Sequence, residues 1–391
     1  MSEIAFMSGQ LTTLPPLSLY VHIPWCVKKC PYCDFNSHTA GAELPEEEYC
    51  AALIKDLELE LPNVWGRPIE SIFIGGGTPS LFSAKAMNGL ISDIRARLPL
   101  KPNLEITMEA NPGTFEIEKF LGFKEAGVTR LSIGVQSFHN DHLNALGRIH
   151  QAQEAIDAIT LATTAFERVN VDLMYALPQQ TVAQAVADVQ TAIDLGVSHI
   201  SAYHLTLEPN TAFGHTPPRG IPADELALDI EEAVHATLAA AGFEHYETSA
   251  FAKHQHYAQH NLNYWRFGDY IGIGAGAHGK ISYPSHVERT TRRRHPNDYL
   301  LNSLSNGQVA SRTPVAKADL PFEFMMNALR LHQGVPSGYF QERTGLSLSV
   351  ISPILEQAQK QGLLAEDPTK LAPTLMGQRF LNNLLQLFLQ E

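Results

Sequence analysis

The chain has 391 residues, with 28 Lys+Arg against 41 Asp+Glu for a formal net charge of −13; 44% of residues are hydrophobic and 18% charged. This composition excludes wholesale disorder and argues against a protein held to nucleic acid by phosphate contacts over a broad basic surface. At roughly 100–200 residues per domain the length implies two to three domains, or an α/β barrel with an extension.

Residues 1–16 read as a loose N-terminal tail ending in Pro15-Pro16. Six runs rich in β-branched and apolar residues follow: Ser18–Pro24, Ser71–Gly77, Glu105–Pro112, Arg130–Ser137, Arg168–Pro178 and His199–Pro209. Helical patterns alternate with them at Glu46–Leu61, Ala84–Leu98, Glu116–Ala126, Gln151–Ala165, Thr181–Leu195 and Ala223–Ala241. Strands alternating with helices predict βαβ units on a parallel sheet, here a partial (βα)6 barrel over residues 17–241, two units short of a closed eight-unit barrel. Each predicted strand runs into a chemically loaded turn: WCVKKCPYC, GGGTP, EANPG, GVQSF, DLMYALP and LEPNT. In parallel α/β folds the C-terminal ends of the strands carry the site.

Residues 242–320 read as a connecting region, with HNLNYW, the glycine-rich YIGIGAGAHG and the basic ERTTRRRHP. Residues 321–391 are again helical. Helices near Gly338–Thr344, Ser347–Gly362 and Thr374–Leu389, with a brief extended piece before the last, have the order of a winged-helix-like module in an α-rich C-terminal region. Arg343, Lys360, Lys370 and Arg379 face Glu342, Glu356, Glu366, Asp367 and Glu391, which is not the balance of a DNA-binding surface. The module is expected to be structural or a docking surface. No run of 18 apolar residues predicts a membrane span, no signal peptide is evident, and the cysteine usage predicts a cytoplasmic, reducing compartment.

Three of the four cysteines, Cys26, Cys30 and Cys33, form CxxxCxxC at the end of the first predicted strand; Cys50 lies 17 residues beyond Cys33 in an expected helix. Clustered thiolates suit an iron–sulfur cluster or zinc. Structural zinc takes four ligands, commonly from CxxC pairs, and no second pair exists. Three cysteines would leave one iron of a [4Fe–4S] cluster open, and buried free thiols are the remaining reading.

The CxxxCxxC with Tyr32 before its last cysteine resembles the radical S-adenosylmethionine (SAM) superfamily. The resemblance implies that Cys26, Cys30 and Cys33 hold a [4Fe–4S] cluster whose open iron is chelated by SAM. An electron from the cluster then cleaves a C–S bond of SAM to a 5′-deoxyadenosyl radical. It also implies the partial (βα)6 barrel that the strand count reaches independently. By the same resemblance Gly76, Gly77 and Thr78, within Gly75–Pro79, leave room and backbone partners for the methionine moiety, and Glu109 accepts from ribose hydroxyls. Tyr20, Gln136, Arg148 and Asp172 fall on SAM-contacting positions of the oxygen-independent coproporphyrinogen III oxidase-like group.

Within that group the resemblance runs from about Leu17 to the C-terminus, through FIGGGTPS, MEANPG, GVQSF, LGRIH and DLMYALP, and is greatest to the HemW family of heme chaperones. The oxidase continues its cysteine motif to a fourth cysteine, where this chain has Phe35, and has a longer arm than the 25 residues that precede Cys26. His260, Asn261, Tyr264 and Trp265 match HNxxYW, which that family associates with heme. Imidazole is an effective axial ligand, the two aromatics offer flat faces, and Arg289, Arg292, Arg293 and Arg294 form a local basic patch for propionates. His254 and His256 read as exposed residues, not ligands. The resemblance implies a heme carrier that hands its cargo to an apo-hemoprotein acceptor, among membrane-bound respiratory enzymes, with an electron donor for the cluster. Such a carrier is cytoplasmic or peripheral at the membrane and takes no nucleic acid; no residue is assigned a catalytic role. The alternatives are an oxygen-independent coproporphyrinogen III oxidase, a radical-SAM oxidative decarboxylase, and a radical-SAM tRNA modifier, against which the net charge counts.

Overall fold

The computed structural model describes residue 11, residues 13–114 and residues 117–389; most of the expected tail, Glu116 at the head of the third expected helix, and the last two residues lie outside the described residues. Six parallel strands form where the sequence pattern places them: β1 (Leu17–Ile23), β2 (Ile69–Gly76), β3 (Leu100–Ala110), β4 (Arg130–Gln136), β5 (Arg168–Tyr175) and β6 (His199–His204). They pair in chain order, each with the next. Six of the seven residues of β1 are buried, the near-continuous apolar run of a strand covered on both faces.

The crossover helices are α1 (Glu46–Glu60), α2 (Ala84–Arg97), α3 (Ile117–Ala126), α4 (Ala152–Ala165), α5 (Val182–Asp194) and α6 (Asp224–Ala240). Local chemistry sets their starts. Ser83 caps α2, and Thr181 and Gln184 form a reciprocal capping box at α5. Helix α5 buries Ala185, Asp188, Val189 and Ala192, a stripe at helical spacing that packs on the sheet. Asp188 is the polar member of that stripe. Ser137 Oγ and the backbone N–H of Phe138 donate to it, tying the end of β4 to the helix.

The sheet does not end at the sixth strand. Residues 242–320 add β7 (Glu244–Glu247), β8 (Ala250–Ala252), β9 (Asp269–Ile273), β10 (His278–Ser282), β11 (Val287–Arg292) and β12 (Val309–Pro314). The result is one twelve-stranded sheet in the order β12-β11-β10-β9-β1-β2-β3-β4-β5-β6-β8-β7. Strand β9 lies parallel to β1 on the edge opposite β2, and β10 to β12 continue antiparallel. The glycine-rich segment is what allows this close pairing. A Cβ on Gly272 would collide with the carbonyl of His278, and Gly274, at φ +105°, would place one on the carbonyl of His22.

Two charged networks lock the extension to the barrel. Buried Asp269 takes Lys280 Nζ at 2.9 Å and Arg67 at 2.8 Å. Burial opposes its ionisation, but Lys280 and Arg67 hold its carboxyl below the usual value. Arg292, fully buried, donates to Asp56 at 2.8 Å and Glu60 at 2.7 Å on α1. Arg289 is bound by Glu323 and by Tyr270 OH. Two members of the expected basic patch, Arg289 and Arg292, are therefore consumed by structural pairs: Arg292 because a guanidinium buried in the core must find carboxylates there, and half-buried Arg289 because Glu323 packs against it. Only Arg293 and Arg294 stay exposed.

The C-terminal region has its own core, in which Phe324 meets Phe267 and Phe340 edge-on. Helices Gly338–Thr344 and Ser352–Lys360 are followed by the pairing of Val335–Pro336 with Lys370–Leu371, and the last expected helix is split into Leu375–Arg379 and Leu381–Gln386.

Candidate functional site at the strand ends

The cysteine segment is a closed loop on the tip of β1. Trp25–Cys26 pairs with His38–Thr39, and backbone hydrogen bonds join His38 to Pro24 and Ala40 to Cys26. Asn36 then pins the loop to the extension, donating to the carbonyls of Ala275 and Arg294. On the far side Phe213 N–H donates to Pro31.

Half-buried Cys26, Cys30 and Cys33 line one cavity of about 140 Å³ together with Gly76, Gly77 and Arg148. Among the described residues no three His, Cys, Asp or Glu side chains converge on a single ion position, so the thiols surround a volume instead of meeting at a point. Burial raises the pKa of Cys26 and Cys33, so loading soft metal here would release protons. Arg148 Nη1 reaches Cys30 Sγ at 3.5 Å, a positive charge beside a site built for thiolates.

The wall opposite the cysteines comes from strand ends β2 to β5. Gly76 N–H donates to Glu109 at 2.9 Å. Glu109 is partly buried, and desolvation, reinforced by the charge of Asp172, raises its pKa to about 8. Asn111 bridges Thr78 and Arg148, at 2.8 and 2.9 Å. Asp172 accepts from Ser132 and from Asn170. Gln136 sits at φ +70°, unusual for a residue with a side chain, and its buried Oε1 has no partner; Arg148 Nε is likewise unpartnered. Orphaned polar atoms around a cavity are what a polar ligand would satisfy. A three-thiolate cluster with SAM therefore fits the residues present. Tyr32 lines both this cavity and an adjoining one of about 310 Å³, which Glu109, Gln136 and Asp172 share.

Tyr20 lies farther off, its OH bonded to His22 Nδ1 at 2.8 Å, and lines a third and larger cleft. Of the HNxxYW residues, His260 is 1% exposed. Its Nδ1 pairs with Ser71 Oγ at 3.0 Å and its Nε2 with Tyr264 OH at 2.8 Å. Burial, followed by the charge of Arg130, pushes its pKa down to about 3, so it is a neutral ring with both nitrogens engaged. Asn261 borders the 310 Å³ cavity, Tyr264 the large cleft, and Trp265, stacked under Arg330 at 4.3 Å, a smaller hollow that Tyr264 also lines. The motif thus spreads over three surfaces.

Sequence reading passed over Asn111, Ser132 and Asn170. Ser132-x-Gly134-x-Gln136 and Asn170-x-Asp172 repeat every second residue, and that strand period, polar on the inner face, is the signal that could have found them. Gly77 is the tightest point of the site. A Cβ there would lie 2.5 Å from the carbonyl oxygen of Trp25 and 2.9 Å from its nitrogen, backbone atoms that cannot swing away. Gly77→Ala is expected to cost about 1–3 kcal/mol by overpacking and to displace the cysteine loop, read as a lower urea midpoint together with weakened retention of SAM.

Residues 20–192 match the Radical SAM superfamily, and residues 315–380 the HemN C-terminal domain. The chain is 50% identical over 383 residues to the heme chaperone HemW of Escherichia coli (strain K12), covering 97% of this chain and 100% of that one. It is 47% identical to the heme chaperone HemW of Haemophilus influenzae, covering 97% and 99%. Among solved structures, coproporphyrinogen III oxidase HemN of Escherichia coli, a radical SAM enzyme, superposes with a TM-score of 0.81 at 20% identity, over 96% of this chain and 90% of that chain. At that identity the likeness is one of fold.

Proposed function

The chain belongs to the HemW family of heme chaperones, and from that membership we propose that it binds heme and passes it to an apo-hemoprotein. The observation that carries this reading is the near-complete, 50% identical match to a heme chaperone, on a chain with a radical SAM domain. Respiratory hemoproteins at the membrane are the acceptors we propose, served by a cytoplasmic carrier. No helix among the described residues is long and apolar enough to cross a membrane.

Cys26, Cys30 and Cys33 would hold the [4Fe–4S] cluster, which when bound supplies one-electron chemistry at its open iron. Gly76 and Gly77 leave the space for SAM, Gln136 and Arg148 offer their free polar atoms, and Glu109 and Asp172 face it with carboxylates. We favour a carrier over an oxidase that decarboxylates porphyrinogen because Phe35 stands where the oxidase carries a fourth cysteine. The test is transfer: protein loaded with hemin should give up its Soret band to an apo-hemoprotein at stoichiometric yield. Conversion of coproporphyrinogen to protoporphyrinogen with SAM and a reductant would instead establish the oxidase.

Glu109 makes SAM binding pH-dependent. With its pKa near 8 in the free site, Glu109 is mostly protonated at pH 7. A cationic sulfonium ligand with hydroxyl donors favours the carboxylate, so binding expels a proton. Affinity for SAM should rise with pH up to about 8 and flatten above it. Calorimetry in buffers of different ionisation enthalpy should count the released proton, and Glu109→Gln should abolish both effects. The sign for folding is the reverse. A carboxyl whose folded pKa is raised costs stability as pH climbs from its unfolded value through about 8.

A further inference from the structure

The largest cavity bordering the site is not the one beside the cysteines. A cleft of about 1030 Å³ opens between the tips of β1 and β2 and the β9–β12 extension. It lies at the upper end of the roughly 300–1,000 Å³ range of ordinary ligand sites, where the neighbouring cavities are far smaller. Its walls are aromatic: Phe35, Phe73, Tyr264 and Tyr270. Phe35 is 59% exposed, an apolar ring held open to solvent on the cysteine loop. Gly76 and Glu109 line both this cleft and the cluster cavity, so the two spaces adjoin.

Three histidines line the cleft, and they are not equivalent. His22 is buried, with its ring nitrogens bonded to Tyr20 OH and the carbonyl of Asn36. His295 uses Nδ1 to cap the helix that starts at Pro296, and its ring edge meets His38. His278, the first residue of β10, is exposed, and its ring has no hydrogen-bond partner among the described residues. Partial desolvation of the ring by the cleft walls, then the charges of Arg289 and Arg294, lower its pKa, which keeps the ring neutral and able to coordinate metal. On the same rim Arg293 and Arg294 are exposed, and among the described residues no carboxylate pairs with either; Arg293 Nε donates to the carbonyl of Gly307. Asp34, Asp298 and Glu109 are the acidic residues facing the space.

One imidazole without a partner, two guanidiniums without carboxylates and a set of aromatic walls match the parts of heme: iron, two propionates and a flat apolar macrocycle. We propose that the heme cargo occupies this cleft, with His278 as an iron ligand and Arg293 and Arg294 at the propionates. The proposal rests on the heme-carrier reading and gives that function a place. It also assigns HNxxYW a different part: His260, bonded to Tyr264 OH, holds one wall of the cleft and is a positioning residue, not the ligand.

The test is titration of the full chain with hemin and with iron-free protoporphyrin IX, read by the Soret band and by porphyrin fluorescence. His278→Ala is expected to weaken hemin binding by about tenfold or more and to shift the Soret band, leaving protoporphyrin binding unchanged. His278→Met, which restores a ligand, should recover affinity with a different spectrum. Arg294→Glu should weaken both porphyrins without changing the axial-ligand spectrum, and His260→Ala should keep the wild-type Soret position. Wild-type spectrum and affinity in His278→Ala, or loss of the iron spectrum only in His260→Ala, overturns the assignment. A wild-type chain that binds neither porphyrin overturns the carrier reading, and the site with it.

Discussion

Serine in place of Cys26, Cys30 or Cys33, one at a time, is expected to abolish the brown absorbance of protein reconstituted anaerobically with iron and sulfide, while Cys50→Ser leaves it unchanged. The three cysteines stand on one loop around one cavity, and a [4Fe–4S] cluster held by only three protein ligands has none to spare. Cys50 has the same chemistry in a different place. It lies on α1 with its sulfur 4.0 Å from the carbonyl of Ala86, and burial, with Glu46 and Asp93 nearby, pushes its thiol up to about 12. It remains a thiol where a ligand must be a thiolate. Equal loss of colour with Cys50→Ser, or a colourless zinc-loaded wild type, would sink the assignment.

Arg292→Met is expected to have the largest effect on stability, about 3–5 kcal/mol, because it leaves the buried carboxylate of Asp56 without its charge partner and takes one of two from Glu60. Asp56 would keep only Tyr299 OH at 2.8 Å and the backbone N–H of Gly274 at 3.2 Å. Glu60 would keep Arg312 at 2.6 Å. Burial already raises the pKa of Asp56 even with Arg292 present. Without the guanidinium its folded value climbs further, so the variant takes up a proton on folding and its stability falls as pH rises. Urea unfolding should therefore show a larger deficit at pH 8 than at pH 5. A deficit below about 1 kcal/mol, the ordinary worth of an exposed pair, would mean that the buried network does not hold β11 to the barrel. Because Arg292 directly precedes Arg293 and Arg294, the same variant should loosen the rim of the large cleft and weaken hemin binding.

The two halves of the sheet differ in how far local sequence specifies them. Strands β1 to β6 are apolar runs with helices at regular intervals between them, and their bounds came within a few residues of the expected ones. Strands β7 to β12 are short, and the Gly272–Gly276 stretch, Lys280 and Arg292 interrupt any apolar pattern. Lys280 and Arg292 are buried only because Asp269, Asp56 and Glu60 await them, the last two more than 230 residues away in the chain. No local window contains the partners of Arg292.

The site divides along the same line. Spacing alone brought out Cys26, Cys30 and Cys33 and the loaded strand ends, since ligands carried on one short loop lie near one another in any fold. What the HNxxYW histidine does, which arginines of the basic run stay free, and that His278 faces a cleft beside the cluster cavity depend on pairing between distant segments. Burial decides these points: it occupies both nitrogens of His260, neutralises Arg292 with two carboxylates, and leaves His278 exposed. The chemistry of each residue was legible from its identity, but its availability was set only when the chain packed.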